Sequence, residues 1–300
     1  MISEFQHWID QNLPSQDGKT ILITGGNSGI GYYAALALAK AGAHVVIAGR
    51  SPDRIEQANK SIEAEGVAGH VEAGIVDLAS LASVKQFSEQ FRISHPKLDV
   101  LINNAGVMMP PEGKTKDGFE SQFGVNFVGH FALTGLLYNQ LQTIAGSRIV
   151  TLSSIAHRGA SIDFDNLRLE KPYDAKREYY QSKLANLLFT LELSRRIDAK
   201  GDDVLSVACH PGFTKTELQR HIDPAILQGM TFMETWQGAL PTLLAAIGPD
   251  VKQGDYYGPD GPGELGGFPA IGEIDASALD AKSAQKLWEV GQDVTGIAFP

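Results

Sequence analysis

The sequence predicts an α/β fold, a single doubly wound parallel sheet of about seven strands flanked by helices, and three observations carry that prediction. Short apolar runs alternate with helical stretches from residue 20 to residue 209. Strands without a polar face belong to parallel sheets covered by helices on both sides. The first run stops at Thr24, passes through Gly25, Gly29 and Gly31, and enters a helical pattern at once. Successive runs end in polar or glycine-rich residues: Thr24–Gly31, Arg50, Asp77, Asn103–Gly106, Ser153 and Ser154, and His210–Gly212. Those carboxyl ends are where open parallel sheets bind ligands.

Residues 1–18 form an N-terminal extension whose amphipathic turn (Phe5, Trp8, Ile9) ends at Pro14 and Gly18, with Trp8 packing back on the body. The first strand reaches Thr24, and a helix over Tyr32–Lys40 stops at Gly42. A second strand covers 45–50, and Ser51 is a good N-cap for a helix reaching about Glu65. Residues 74–78 read as the third strand. Residues 80–94 place Leu81, Val84, Phe87 and Phe91 on one helical face. The fourth strand starts at 98 and runs into the turn Asn103–Gly106. A long helix over 119–141 has Phe123, Phe127, Phe131 and Leu137 as its apolar stripe. The fifth strand covers 148–154, a helix 178–198 and the sixth strand 204–209.

Beyond Pro211 the pattern loosens. A helix is expected over 238–247, mostly loop over the Gly- and Pro-rich stretch 249–272, and a last helix over 275–289. No repeat or composition break divides the chain. The reading is therefore one domain over 1–300, with its core at 19–210, a substrate-loop region at 211–272 and a C-terminal helix and tail at 273–300. The tail is expected to close over a site or lie along the body.

A formal charge of −10 argues against a nucleic-acid or anionic-membrane partner, though a small phosphorylated ligand needs only a local basic patch. The single cysteine, Cys209, excludes an internal disulfide and fits a reducing compartment. The N-terminus has neither a basic region nor an apolar one, so no secretory signal is expected. No uncharged apolar run reaches the roughly 18 residues of a membrane span. The expected setting is the cytoplasm.

Strand, glycine turn, helix aims backbone N–H groups and the positive end of a helix dipole at one point, which suits a diphosphate. Taken with the downstream motifs, the turn resembles the short-chain dehydrogenase/reductase family. The matches are TGGNSGIG at 24–31, VDL at 76–78, NNAG at 103–106, VNFVGH at 125–130, LSS at 152–154, YYQSK at 179–183 and HPGFTKTEL at 210–218. They cover about residues 18–218 in the family's order, and SSIAH with YQSKLAN is most similar to its retinol-dehydrogenase-like and protochlorophyllide-reductase-like members.

The resemblance implies a Rossmann fold, a nicotinamide cofactor and a catalytic set of Asn126, Ser154, Tyr179 and Lys183. Tyr179 and Lys183 lie four apart on a predicted helix and share a face. A phenol ordinarily titrates near about 10. A nearby ammonium lowers that value, so Tyr179 can exchange a proton with a carbonyl or an alcohol oxygen. Tyr180 points elsewhere and is expected to pack. Ser154 rather than Ser153 is implied to polarise the substrate carbonyl, and Asn126 to hold a water linking Lys183 to solvent. Lys183 also bonds the nicotinamide ribose by resemblance. The segment 162–177 reads as an inserted loop that could border the substrate entrance.

The implied cofactor contacts are Gly25, Asn27, Ser28, Gly29, Ile30 and Gly31 at the diphosphate, Asp77 and Leu78 at the adenine, and Asn104, Ala105 and Gly106 along its ribose. Pro211, Gly212 and Thr214 hold the nicotinamide end. An acid after the second strand would bond the ribose 2′-OH of NAD, whereas NADP needs a cation for its 2′-phosphate. Arg50 stands there, then Ser51, with Arg54 nearby, so NADP(H) is the expected cofactor. No metal is expected, because His130, His157 and His210 lack metal-ligand spacing. Met108, Met109, Phe213, Met230, Phe232, Met233 and Trp236 are either core or an apolar substrate wall. The expected activity is carbonyl reduction or alcohol oxidation on a small, apolar substrate. A non-catalytic NADP sensor and a reductase of an activated C=C bond are the alternatives, and a dimer, a tetramer or a monomer all fit.

Overall fold

In the computed structural model, which describes residues 3–300, the apolar runs become strands of one eight-stranded sheet. Met1 and Ile2, the start of the expected extension, lie outside the described residues. The strands are β1 (Thr20–Thr24), β2 (His44–Gly49), β3 (His70–Ile75), β4 (Val100–Asn103), β5 (Ser147–Leu152), β6 (Val204–Cys209), β7 (Tyr256–Pro259) and β8 (Pro269–Ile271). Their order is β3-β2-β1-β4-β5-β6-β7-β8, parallel except for β8, which pairs antiparallel with β7. The chain leaves β1 toward β2 and β3, then returns to place β4 on the other side of β1. That reversal opens a crevice at the carboxyl ends of β1 and β4, the point at which such sheets bind ligands.

Side chains alternate between two cores. Ile21, Ile23, Val45 and Ile47 face α1 (Ser3–Asn12), α2 (Gly29–Lys40), α3 (Pro52–Glu63) and α9 (Thr235–Ile247). Leu22, Val46 and Ala48 face α4 (Leu81–Ser94), α5 (Ser121–Phe123), α6 (Gly129–Gln142), α7 (Ala175–Lys200) and α10 (Ala281–Thr295). α8 (Pro224–Leu227) lies in the segment after β6. α7 starts at the Asp174 carboxylate, which accepts from the Lys176 and Arg177 N–H groups, and ends at Gly201 with φ 75°.

Several expectations need correction. The third strand is 70–75, not 74–78, because it is the sheet edge: His70, Glu72 and Ile75 are partly or fully open to solvent, so no continuous apolar run marks it. The helix expected over 119–141 is α5 and α6 joined by a π turn over Gly124–Val128. The stretch 249–272 is mostly loop, but within it β7 and β8 extend the sheet with four and three residues. Ser51 takes the N-cap position of α3 without a side-chain cap bond, and Pro52 supplies the first turn. The last helix begins later, as a 3-10 turn at Ala276–Leu279 followed by α10.

Residues 3–12 of the extension form a helix. α1 buries Phe5, Trp8 and Ile9, with the Phe5 ring 5.6 Å from Tyr33 and 5.5 Å from Trp236. Phe5 is wholly buried, so Phe5→Ala is expected to destabilise by about 3 kcal/mol, the lower range for a buried Phe→Ala change. Calorimetry would show this as a lower Tm, and an unchanged Tm contradicts the packing. The C-terminal tail lies along the body. Trp288 stacks on Phe189 at 5.9 Å and 14°, and Phe299 sits 5.1 Å from Phe131. Gly135 makes room for this, since a Cβ there would meet Ile297 and Phe299 at 2.6 Å. Part of the α6 and α7 surface that could serve self-association therefore carries the chain's own tail. Among the described residues, no helix is long and apolar enough to cross a membrane.

Candidate active site

A cavity of about 690 Å³ opens at the carboxyl ends of the strands. Its wall includes Gly25, Asn27, Ser28, Gly29, Ile30, Gly31, Arg50, Ser51, Arg54, Asp77, Leu78, Asn104, Ala105, Gly106, Ser154, Tyr179, Lys183, Pro211, Gly212 and Thr214. Of the residues expected to carry catalysis or to bind the cofactor, only Asn126 stands behind that wall.

The glycine turn is shaped for close approach. Gly25 takes φ 69°, where a side chain is strained, and a Cβ on Gly31 would lie 2.5 Å from both Asn104 Nδ2 and the Gly25 carbonyl. α2 begins at Gly29 behind Ser28, whose hydroxyl makes no cap bond, so the first-turn N–H groups face the cavity without that partner. This cradle fits a diphosphate. At its outer edge Arg50 is exposed, and among the described residues no acid pairs with it. Arg54 is different: its guanidinium is 2.6 Å from Glu217, and both groups are half exposed. Asp77 is also engaged, with Oδ1 accepting from Ala79 N at 3.1 Å and Oδ2 meeting Lys116 Nζ at 3.0 Å.

Tyr179 and Lys183 share the inner face of α7 as their spacing requires. Both are buried. Burial pushes the Tyr179 phenol up to about 12, and a hydrogen bond with the Ser154 hydroxyl opposes the rise. Burial takes the Lys183 ammonium down to about 8. Lys183 Nζ sits 5.8 Å from the centre of the Tyr179 ring and donates to the Leu152 carbonyl at 3.2 Å. In the protein alone, desolvation sets the direction of the phenol's shift, while the Lys183 ammonium lies over the ring and is bonded to a backbone oxygen. Ser153 and Ser154 both border the cavity but differ in the partners of their hydroxyls. The Ser153 hydroxyl is buried and donates to the Lys183 carbonyl at 2.8 Å, while Ser154 faces the cavity and meets Tyr179.

Asn126 occupies the π turn, where the regular ladder is broken. Its side-chain oxygen accepts from Val107 N at 2.8 Å, and its amide donates to Val107 O at 3.0 Å and to Ser182 Oγ at 2.9 Å. The side chain therefore fixes the loop after β4. The Asn126 carbonyl accepts from His130 Nδ1 at 2.9 Å, which leaves Nε2 to accept from the Thr24 hydroxyl at 2.9 Å. Thr24 Oγ1 in turn accepts from the N–H groups of Asn104 and Ala105, each at 3.0 Å. Burial drives His130 down to about 4, so it stays neutral and keeps this tautomer. The chain of bonds connects the glycine turn to Asn126 through His130, which lies 106 residues from Thr24, a role of His130 that no local spacing announces.

A second network holds the loop after β6. Gly212 N donates to His210 Nδ1 at 3.2 Å, and His210 Nε2 donates to the Glu264 carboxylate at 2.7 Å. Arg158, on the cavity wall, pairs with Glu264 at 2.8 Å. Burial opposes ionisation of Glu264, but His210 and Arg158 prevail and hold it down to about 2. Of the apolar candidates, Met108, Met109, Phe213 and Met230 line the cavity. Trp236 is core, and Phe232 stacks on Phe213 at 4.5 Å instead. The sequence missed Leu218, Ile222, Ile226 and Leu227, which form the outer apolar wall. The segment 162–177 does not border the cavity. It is tied down by Asn166 on Glu178 at 3.0 Å, by Tyr173 on Pro110 O at 2.6 Å and by Arg168 over the Phe119 ring.

Comparison with known proteins agrees with this geometry. The short chain dehydrogenase family model matches residues 19–226. Human retinol dehydrogenase 13 is 40% identical over 299 residues, covering 94% of this chain and 86% of that protein. The crystal structure of an uncharacterised protein from Mycobacterium paratuberculosis superposes with a TM-score of 0.82 at 38% identity, covering 97% of this chain and 98% of that one. A short-chain dehydrogenase from Burkholderia cenocepacia, solved in complex with NADP, has a TM-score of 0.63 at 25% identity, covering 80% and 95% of the two chains. On the family match and the full-length relative together, this chain belongs to the short-chain dehydrogenase family, on its retinol-dehydrogenase-like side.

Proposed function

We propose that the chain is an NADP(H)-dependent oxidoreductase acting on the carbonyl or alcohol of an apolar substrate, with Tyr179 as general acid and base. The observation that carries the reading is one cavity with Ser154, Tyr179 and Lys183 on its inner wall and an unpaired Arg50 at its outer edge. The nicotinamide, when bound, supplies or takes the hydride. In reduction the hydroxyls of Ser154 and Tyr179 donate to the substrate oxygen, and Tyr179 gives up its proton as charge develops there. A phenol at about 12 is protonated at neutral pH, and an ammonium at about 8 is mostly charged, so both start in the required form. Lys183 then stabilises the phenolate that remains. Asn126 acts behind the wall by holding Val107.

Arg50 would grip the 2′-phosphate, the first turn of α2 the diphosphate, Asp77 and Leu78 the adenine, and Pro211, Gly212 and Thr214 the nicotinamide end. Met108, Met109, Phe213 and Met230 exclude water and favour an apolar chain on the substrate. The name of the human relative, a retinol dehydrogenase, supports a long apolar alcohol or its aldehyde as the substrate class. The test is NADPH oxidation over a panel of apolar aldehydes and ketones, and NADPH binding without turnover on any of them would contradict the reading.

The ionisation of Lys183 gives a pH prediction. Below about 8 the ammonium is charged, and above it the phenolate of Tyr179 loses its stabilising partner. The kcat/KM for reduction, which reports the free enzyme, is therefore expected to fall tenfold per pH unit above that point. A profile flat to pH 10 (a pH at which roughly 99% of such an ammonium is neutral) contradicts the assignment.

A further inference from the structure

Three side chains meet at the end of β2 far from the cavity. His44 opens β2, Glu72 stands on β3, and His95 caps the C-terminus of α4. Val46 is the register partner of Glu72, and Val46 and Ala48 face α4, so the alternation of β2 puts His44 on the same side. Glu72 Oε2 lies 3.0 Å from His44 Nε2 and 3.1 Å from His95 Nε2, and the three atoms all fall within 4.8 Å of one another. Bonds of about 2.0–2.1 Å around a tetrahedral ion set neighbouring ligand atoms about 3.3 Å apart, and both Glu72 contacts are already close to that spacing.

The surroundings fix the ring that is most buried. The Ser94 hydroxyl donates to Gln90 O at 3.0 Å, which leaves its oxygen to accept from His95 Nδ1–H at 3.0 Å. In that tautomer the Nε2 lone pair points at a carboxylate oxygen, and two electron-rich atoms at 3.1 Å repel unless a cation or a proton lies between them. A hydroxyl that orients a ligating imidazole through its other nitrogen is the usual support of a metal site. The ring is further held against Phe91, stacked at 4.4 Å and 18°. The carbonyl end of α4 adds partial negative charge at the same place.

We propose that His44, Glu72 and His95 bind a divalent transition-metal ion of the zinc class, through two imidazole nitrogens and one carboxylate oxygen, with water completing the set. Two imidazoles and a carboxylate suit zinc and its neighbours rather than magnesium or calcium. The three ligands come from β2, β3 and α4, so the ion clips the sheet edge to the helix over it. The site is separate from the cavity, which gathers at the opposite ends of the strands.

The experiment titrates metal-free full-length protein with Zn²⁺ by calorimetry and with Co²⁺ by visible absorption. One Zn²⁺ per chain is expected, with Co²⁺ bands of a four- or five-coordinate site and a rise in Tm that depends on Zn²⁺ concentration. Glu72→Gln, which keeps the size of the side chain, and His95→Ala are each expected to weaken binding at least about tenfold, and Ser94→Ala about tenfold through the lost orientation of His95. Circular dichroism without metal checks that each variant is folded. No Zn²⁺ uptake by the wild type at micromolar concentration, or uptake by Glu72→Gln and His95→Ala equal to the wild type, overturns the proposal.

Discussion

Replacing Tyr179 by phenylalanine is expected to lower kcat/KM on an accepted substrate by about 10²–10⁴-fold, the range that a positioned proton donor contributes. The substitution removes one oxygen from a buried ring, whose packing on Tyr180 at 6.4 Å is kept. The Ser154 hydroxyl loses one partner and retains Ala156 N, which donates to it at 3.2 Å. Stability should therefore change little, and NADPH affinity should stay within about threefold, a difference below 1 kcal/mol. Because the loss belongs to the proton-transfer step, it should appear in kcat as well as in kcat/KM. Steady-state kinetics with NADPH binding measured in parallel decide the matter. Equal turnover by both proteins would remove Tyr179 from its assigned role.

The second large effect is expected at Arg50. A guanidinium that grips a phosphate makes hydrogen bonds worth about 1.5–3 kcal/mol, so Arg50→Ala should weaken NADPH about 10- to 100-fold. NADH has no phosphate there, and its affinity should hold within about twofold on the same argument. Arg54 does not replace Arg50, since Glu217 already engages it at 2.6 Å. Fluorescence titration with both dinucleotides measures the two constants. An equal loss for both would mean that Arg50 shapes the cleft rather than reads the phosphate.

The parts of the site that were legible in the sequence are those encoded by local spacing. Thr24–Gly31 joins a strand to a helix within eight positions, and Tyr179 and Lys183 lie one helical turn apart. In both cases backbone geometry alone decides where the groups point. The interior strands were legible for a related reason, since burial on both faces leaves a continuous apolar run. β3 and β8 are edge strands, the first with half its residues exposed and the second with none buried, and that exposure erased the signal. Pairings across long stretches of sequence were not legible either. His130 with Thr24, Arg54 with Glu217 and the meeting of His44, Glu72 and His95 exist only because the sheet brings distant segments together. The phenol of Tyr179 is an instructive case, because the sequence shows the ammonium four residues away but not the burial that raises the phenol.

The most direct test of the account follows the hydrogen itself. NADPH carrying deuterium at the transferring carbon is incubated with the protein and an apolar α,β-unsaturated aldehyde, and the product is analysed by mass spectrometry and NMR. The account predicts one deuterium on the carbinol carbon of an allylic alcohol, with the double bond intact. Deuterium on the β-carbon of a saturated aldehyde would show reduction of the C=C bond, and an unlabelled, unchanged aldehyde beside tightly bound NADPH would show a protein that holds the cofactor without using it. Either result contradicts the assignment of Tyr179 and Ser154 to a carbonyl oxygen.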